Sequence, residues 1–203
     1  MDLKHTALLL IDIQKAFENA DYWGGERSNP QFETNIRTIL RNFRATRDNA
    51  SHKALIIHVY HESHNPHSPL HTDSPGIAFQ SYACPDVRTE IVLSKNVNSC
   101  FIGTPLEGVL RAKDIRRLYI VGLTTDHCVS TTVRMAGNLK VTDWINDDGE
   151  TKGGDGVFLI EDATATFSKG GFGSDIVHKV NVESLKEFAA VVTTKDVMEL
   201  FAP

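Results

Sequence analysis

Short, largely apolar segments recur along the chain, and polar residues follow most of them. Segments that are apolar on both faces are typical of strands in a parallel sheet that is covered by helices. The pattern predicts an α/β fold: a three-layer α-β-α sandwich with a central, mainly parallel six-stranded sheet, formed by residues 1–203 as one domain. The predicted strands are Ala7–Ile11, Ala54–Tyr60, Glu90–Ser94, Leu118–Val121, Val157–Ile160 and Ala190–Val192.

Segments with helical spacing of apolar residues lie between these strands. The first of them is expected to begin at Pro30 and to end near Asp48–Asn49. Residues 146–156 are acidic and rich in glycine, so we expect an exposed insertion there. Further helices are predicted after a Thr104 cap, from Cys128 to Gly137, over 175–188 and after a cap at Thr193 or Thr194.

The composition favours a small-molecule ligand over a polymer or a membrane. The net charge is -5 and lysines and arginines form no run, which argues against nucleic acid as a partner. The first apolar segment is too short for a signal peptide, and no apolar run approaches the roughly 20 residues of a membrane span. Three cysteines without C-x-x-C spacing indicate neither a disulfide framework nor a structural zinc site. We therefore expect a cytoplasmic protein without a membrane partner.

Three predicted strands lead into chemically useful side chains, namely Asp12, Lys95 and the turn before Cys128. The carboxyl ends of parallel strands lie at one edge of the sheet, so one pocket can collect all three. A cysteine becomes a good nucleophile when a helix N-terminus and a cation stabilise its thiolate and a carboxylate accepts its proton. The backbone N–H groups of Thr124 and Cys128 are placed to form an oxyanion hole. These residues together predict acyl transfer through a thioester.

The same residues also allow other interpretations. Asp12 can act as a helix cap, and Cys84 and Cys100 are expected to be small buried residues. His127 is a rival base, but its position beside the cysteine is expected to direct it away from the thiol. The loop after the second strand contains four histidines without a fixed carboxylate, so a metal site there is disfavoured and no cofactor is expected. They are His61, His64, His67 and His71.

Five motifs distributed over most of the chain resemble one enzyme family. They are Leu9–Gln14 with Phe17, His61–Ser63 with Ser68–Leu70, Lys95 with Ser99, Phe101, Gly103, Thr104 and Leu106, Gly122–Val129, and Asp162–Thr166. The family is that of the isochorismatase-like cysteine hydrolases, which includes nicotinamidases, N-carbamoylsarcosine amidases, ureidoacrylate amidohydrolases and isochorismatases.

The resemblance implies a catalytic triad of Asp12, Lys95 and Cys128, and a cis peptide bond between Leu123 and Thr124 that turns the Thr124 N–H toward the oxyanion. Members of this family are often oligomers, so a homodimer or homotetramer is expected. The substrate pocket is expected to be lined by Gln14, Phe17, Trp23, Tyr60, His61, Phe101 and Leu123.

The sequence departs from the family pattern after the second strand. Metal-dependent nicotinamidases carry an Asp-x-His pattern at the place where this chain reads Val59–Glu62, so that activity is disfavoured and no metal is expected. The 146–156 insertion is a second departure. Some members hydrolyse the vinyl ether of isochorismate with the aspartate as acid and do not need the cysteine.

The preferred function is therefore hydrolysis of a small amide, ureido or carbamoyl compound by Cys128, with Asp12 as general base and acid and Lys95 as cation. The alternative is hydrolysis of isochorismate to 2,3-dihydroxy-2,3-dihydrobenzoate and pyruvate with Asp12 as acid. A non-catalytic binding protein on an enzyme fold is the third possibility, and the presence of all three catalytic groups argues against it.

Overall fold

The computed structural model describes residues 3–46 and 53–201. The strands of this part of the chain are β1 (Thr6–Ile11), β2 (Leu55–His61), β3 (Ile91–Lys95), β4 (Arg117–Leu123), β5 (Trp144–Ile145), β6 (Thr151–Lys152), β7 (Gly156–Ala165) and β8 (Ala190–Val192). The helices are α1 (Ala20–Trp23), α2 (Phe32–Ala45), α3 (Leu106–Ala112), α4 (Ser130–Leu139), α5 (Ser174–Leu185) and α6 (Thr194–Glu199).

Six of the strands form one sheet in the order β3-β2-β1-β4-β7-β8, and all of its neighbouring pairs are parallel. The predicted six-stranded α/β sheet is thus confirmed. The chain first adds strands on one side of β1 and then returns to add β4, β7 and β8 on the other side. The strand order therefore reverses between β1 and β4, and ligands bind at such a point in open α/β sheets.

Every residue of β1 is buried, because both faces of the sheet are covered. Leu8 and Leu10 belong to a core shared with α2 and α6, whereas Leu9 and Ile11 belong to the core on the opposite face, which includes residues of α3, α4 and α5. This alternation explains why the strand reads as a continuous apolar run rather than as an alternating one.

β1 and β4 approach each other closely next to the site. Gly122 has φ +125°, and a Cβ atom there would lie 2.1 Å from the carbonyl oxygen of Ile11. Only glycine fits this position, because any side chain would collide with the neighbouring backbone. The end of β4 is thereby held directly against the end of β1.

Several predicted boundaries were wrong. β7 does not end before Glu161 but continues to Ala165. The pairing of β7 with β4 shifts register between Ile120 and Gly122, so the polar residues of β7 lie in a bulge and do not end the strand. Gly137 lies inside α4, where a Cβ atom would be 2.9 Å from the Phe188 carbonyl oxygen, and left-handed Lys140 ends the helix instead. The exposed 146–156 segment contributes to a short hairpin of β5 and β6.

The predicted end of the first long helix, at Asp48–Asn49, lies outside the described residues. Within the described ranges, no helix has the length and apolar character needed to cross a membrane.

Candidate active site

The structure brings Asp12, Lys95 and Cys128 together at the carboxyl edge of the sheet. The ammonium Nζ of Lys95 lies 2.7 Å from Oδ2 of Asp12 and 3.3 Å from Sγ of Cys128. The exposed fractions of these residues are 0% for Asp12, 4% for Lys95 and 8% for Cys128. β2 lies between β1 and β3, so the long lysine side chain reaches across the end of that strand to form the pair. The result is a buried ion pair in contact with a thiol.

The turn that carries Cys128 differs from the predicted helix start. Residues Thr125–Val129 form a π-helical turn in which the Val129 N–H donates to the Thr124 carbonyl oxygen, five residues earlier. The regular helix α4 begins only at Ser130, so Cys128 lies within the turn and not at the N-terminus of α4. An extra residue per turn changes the direction of the side chains that follow, and such turns are frequent at functional sites. The peptide bond between Leu123 and Thr124 is cis.

Cys128 is held as a thiol in this arrangement. Burial raises its pKa, the Asp12 carboxylate raises it further, and the Lys95 ammonium opposes both effects. Burial disfavours the ammonium of Lys95, but the charges of Asp12 and Cys128 outweigh that effect and raise the lysine pKa. The expectation that the helix N-terminus yields a ready thiolate therefore needs correction, because removal of the thiol proton to solvent would leave two negative charges in a buried site.

Transfer of the thiol proton to Asp12 avoids that cost. Before the transfer the site contains Asp12⁻ and Lys95⁺, and after it the site contains the Cys128 thiolate and Lys95⁺, so the net charge is the same. Among the described residues, Oδ1 of Asp12 is the buried side-chain polar atom that has no hydrogen-bond partner. A carboxylate oxygen of Asp12 lies within 4.8 Å of the Cys128 sulfur. Asp12 is therefore in a position to receive the proton with a small rearrangement.

His61 also contacts the lysine. Its Nδ1 lies 3.2 Å from Nζ of Lys95, and burial together with the lysine charge lowers the pKa of the imidazole. The fully buried amide of Gln14 fixes the backbone of His61, because Oε1 accepts from the His61 N–H at 2.8 Å and Nε2 donates to its carbonyl oxygen at 3.0 Å. Gln14 therefore ties the loop after β1 to the end of β2.

The geometry also bears on metal binding. Asp12, His61 and Cys128 present ligand atoms within 4.8 Å of one another, and all three contact the ammonium of Lys95. The lysine thus places a cation between groups that could otherwise hold zinc. Within the described ranges, the loop histidines at 64, 67 and 71 join no such ligand group.

Polar side chains that the sequence analysis missed hold the cysteine turn in place. The Asp126 carboxylate contacts the hydroxyl of Thr166 and the ammonium of Lys169, and its pKa is lowered because these contacts and His127 outweigh its burial. The ring of His127, the rival base, is half exposed and lies against Asp126 and Lys169. Thr166 is the last residue of the Asp162–Thr166 motif. That motif is the feature of the sequence that indicated a role for this segment in the site.

Two cavities lie beside these elements. One has a volume of about 390 Å³ and is lined in part by Gln14, Phe17 and Leu123. The other has a volume of about 270 Å³ and touches Lys95, and its remaining lining is mostly polar. That lining consists of Glu62, His64, Ser94, Asn96 and Gly103.

The remaining predicted pocket residues lie in aromatic or core contacts. Trp23 stacks on Phe17 with ring centroids 4.6 Å apart. Tyr60 packs edge-on against Phe79 at 5.6 Å. Phe101 belongs to the same buried core as Cys128.

Residues 6–196 match the model of the isochorismatase domain. The chain belongs to the isochorismatase family. The isochorismatase family protein YrdC of Bacillus subtilis (strain 168), which is uncharacterised, is 36% identical over 201 residues, covering 96% of this chain and 95% of the relative. This confirms the resemblance that the motifs indicate.

Solved structures of the isochorismatase family share the fold. A family hydrolase from Chromobacterium violaceum has a TM-score of 0.81 at 34% identity and covers 97% of this chain and 93% of its own. A cysteine hydrolase from Pseudomonas syringae has a TM-score of 0.76 at 21% identity, with coverage of 98% and 93%. A shorter match joins 45 residues at 47% identity to the ureidoacrylate amidohydrolase RutB of Cronobacter sakazakii, over 22% of this chain and 19% of that protein.

Proposed function

We propose that this protein is a cysteine amidohydrolase that cleaves the C–N bond of a small amide, ureido or carbamoyl compound. The observation that carries the proposal is the single ammonium of Lys95, which contacts both the Asp12 carboxylate and the Cys128 sulfur inside a buried site. A carboxylate, a cation and a thiol in mutual contact are the groups that acyl transfer through a thioester requires. The partial match to an amidohydrolase supports the same reaction.

In the proposed mechanism, Asp12 takes the proton of the Cys128 thiol while Lys95 stabilises the thiolate that forms. The sulfur attacks the substrate carbonyl carbon, and the backbone N–H groups of Thr124 and Cys128 bind the oxyanion. The C–N bond then breaks as Asp12 returns its proton to the leaving nitrogen, so that ammonia or an amine departs. Asp12 next takes a proton from water as the water oxygen attacks the thioester carbon. The C–S bond then breaks and releases the acid, and Asp12 returns the proton to the Cys128 sulfur, which restores the thiol and the carboxylate.

Hydrolysis of the isochorismate vinyl ether is the second candidate. It is favoured by the unpartnered, buried Oδ1 of Asp12, which can serve as an acid toward a substrate carbon when it is protonated. A relative of this chain, the secreted isochorismatase effector Isc1 of Verticillium dahliae, is 26% identical over 196 residues, covering 95% of this chain and 90% of the relative. In that reaction Asp12 would be indispensable and Cys128 dispensable.

The two reactions release different products. Purified protein should be incubated with a panel of small primary amides, ureido acids and carbamoyl amino acids, and separately with isochorismate. The proposal expects ammonia from at least one nitrogen compound, at a rate that far exceeds pyruvate release from isochorismate. Pyruvate as the dominant product would replace the proposal by the second candidate, and no turnover of either class would favour a binding protein.

A further inference from the structure

The ammonium of Lys95 has three hydrogens and three acceptors. Nζ lies 2.7 Å from Oδ2 of Asp12, 3.2 Å from Nδ1 of His61 and 3.3 Å from Sγ of Cys128. An ammonium group donates at most three hydrogen bonds and accepts none. His61 therefore completes the set of acceptors around a lysine whose side chain is fully buried.

This contact defines the tautomer of His61. A nitrogen that accepts from an ammonium must carry its lone pair, so Nδ1 is unprotonated and the ring proton is on Nε2. Burial and the charge of Lys95 both disfavour a second proton on the ring, so the neutral form persists. A neutral acceptor satisfies the third N–H without adding a negative charge that would compete with the thiolate.

The ring is also held in position by the backbone. Both backbone groups of His61 are bonded to Gln14, and His61 lies opposite Lys95 in the register of β2 and β3. The imidazole thus approaches the lysine from a strand that cannot shift without breaking these bonds.

We infer that His61 is a positioning residue: its neutral imidazole accepts the third hydrogen bond of Lys95 and so directs the other two N–H bonds at Asp12 and Cys128. Without this acceptor the ammonium can rotate or withdraw, and the thiolate loses part of its stabilising partner. The inference rests on the proposed function in one respect, namely that the Cys128 thiolate takes part in catalysis. The contact itself can be tested without a substrate.

The test is the rate of alkylation of Cys128 by iodoacetamide between pH 6 and 9. A Cys84→Ser parent is used because Cys84 is exposed, contrary to the expectation from the sequence that it is buried. Cys100 is buried as expected, and burial raises its pKa to about 12 and keeps it unreactive. His61→Ala is expected to react about tenfold more slowly at pH 7.5 and to need a higher pH for the same rate. His61→Asn, whose Oδ1 can take the place of Nδ1 and cannot be protonated, is expected to restore the rate to within about twofold of the parent.

Controls separate this effect from general damage and from the surrounding charges. His67→Ala removes an exposed histidine from the same loop and should leave the rate unchanged. The charged or titratable groups that face His61 are Lys95, Asp12, Cys128 and His64, and all of them remain in every variant.

Equal alkylation rates for the parent and His61→Ala at all pH values would overturn the inference, and so would a His61→Asn variant as slow as His61→Ala. If His61 controls alkylation as expected but no amide or ureido substrate is cleaved, the proposed function fails while the role of His61 stands.

Discussion

Replacement of Asp12 by asparagine should separate formation of the thiolate from turnover. The Asp12 carboxylate raises the pKa of Cys128 by repulsion, and the same carboxylate is the proposed carrier of the proton. Two negative charges no more than 4.8 Å apart repel by at least about 3 kcal/mol at an effective dielectric constant of about 20. Removing one of them favours the Cys128 thiolate over the thiol by roughly a hundredfold, because Lys95 is then unopposed.

The asparagine side chain keeps an oxygen that can accept from Lys95, so the ammonium stays in place. We therefore expect Asp12→Asn, made in the Cys84→Ser parent, to react with iodoacetamide faster than that parent at pH 7, by up to about a hundredfold. Its turnover of an amide substrate should fall by at least about a thousandfold, since no group remains to return the proton to the leaving nitrogen. Alkylation and ammonia release are measured on the same preparations.

The control is Asp21→Asn, which removes an exposed carboxylate and should change neither rate. The reasoning is refuted if Asp12→Asn is alkylated more slowly than the parent throughout pH 6 to 9, because Asp12 would then stabilise the thiolate rather than oppose it. Retention of full amide turnover in Asp12→Asn would contradict the proposed proton transfer.

Two further predictions concern the scaffold of the site. Gly122→Ala should lower the free energy of unfolding by at least about 3 kcal/mol, because its Cβ would collide with the Ile11 carbonyl oxygen, whereas Gly153→Ala meets nothing within 4 Å. Urea denaturation of both variants checks this, and equal stability would contradict the close approach. Glu90 accepts hydrogen bonds from Arg44 and is bonded to buried His58, and these contacts outweigh burial and lower the pKa of its carboxyl group. Its contribution to stability is therefore present above about pH 4.3 and is lost as the pH falls. In Glu90→Gln the loss of stability between pH 6 and pH 3 should be smaller than in the parent, and an identical loss would refute this role.

The sheet was predictable because its signal is local and repeated. β1 is apolar on both faces, and the sequence shows polar Asp12 directly after β1 and Lys95 at the end of β3. Parallel strands are joined by crossover connections, so the ends of these strands lie at the same edge of the sheet. Asp12, Lys95 and Cys128 could therefore be placed together before any contact was known.

The details of the cysteine turn were not predictable in the same way. The apolar residues that predict the helix, from Val129 to Ala136, lie almost entirely within the regular helix α4. Their spacing therefore does not reveal the extra residue in the π-helical turn before Ser130. The raised pKa of the thiol depends on burial and on Asp12, which are properties of the assembled site. His61 was expected in the substrate pocket, but its contact with Lys95 depends on the register of two strands.

The contacts of Asp126 with Thr166 and Lys169, which hold the cysteine turn in place, were missed for a related reason. Asp126 and Lys169 are far apart in the sequence, and neither residue alone has a pattern that predicts a contact. Only the Asp162–Thr166 motif indicated that the end of β7 takes part in the site.

Ammonia release by Cys128→Ala is the most direct test of the central claim, which is that the Cys128 sulfur forms the thioester. The measurement uses a substrate that the wild-type protein cleaves, with Cys84→Ala as the matched control because Cys84 is exposed. We predict that Cys128→Ala releases no ammonia above the uncatalysed background, while Cys84→Ala retains the wild-type kcat/KM. Amide hydrolysis by Cys128→Ala at the wild-type rate would contradict the account.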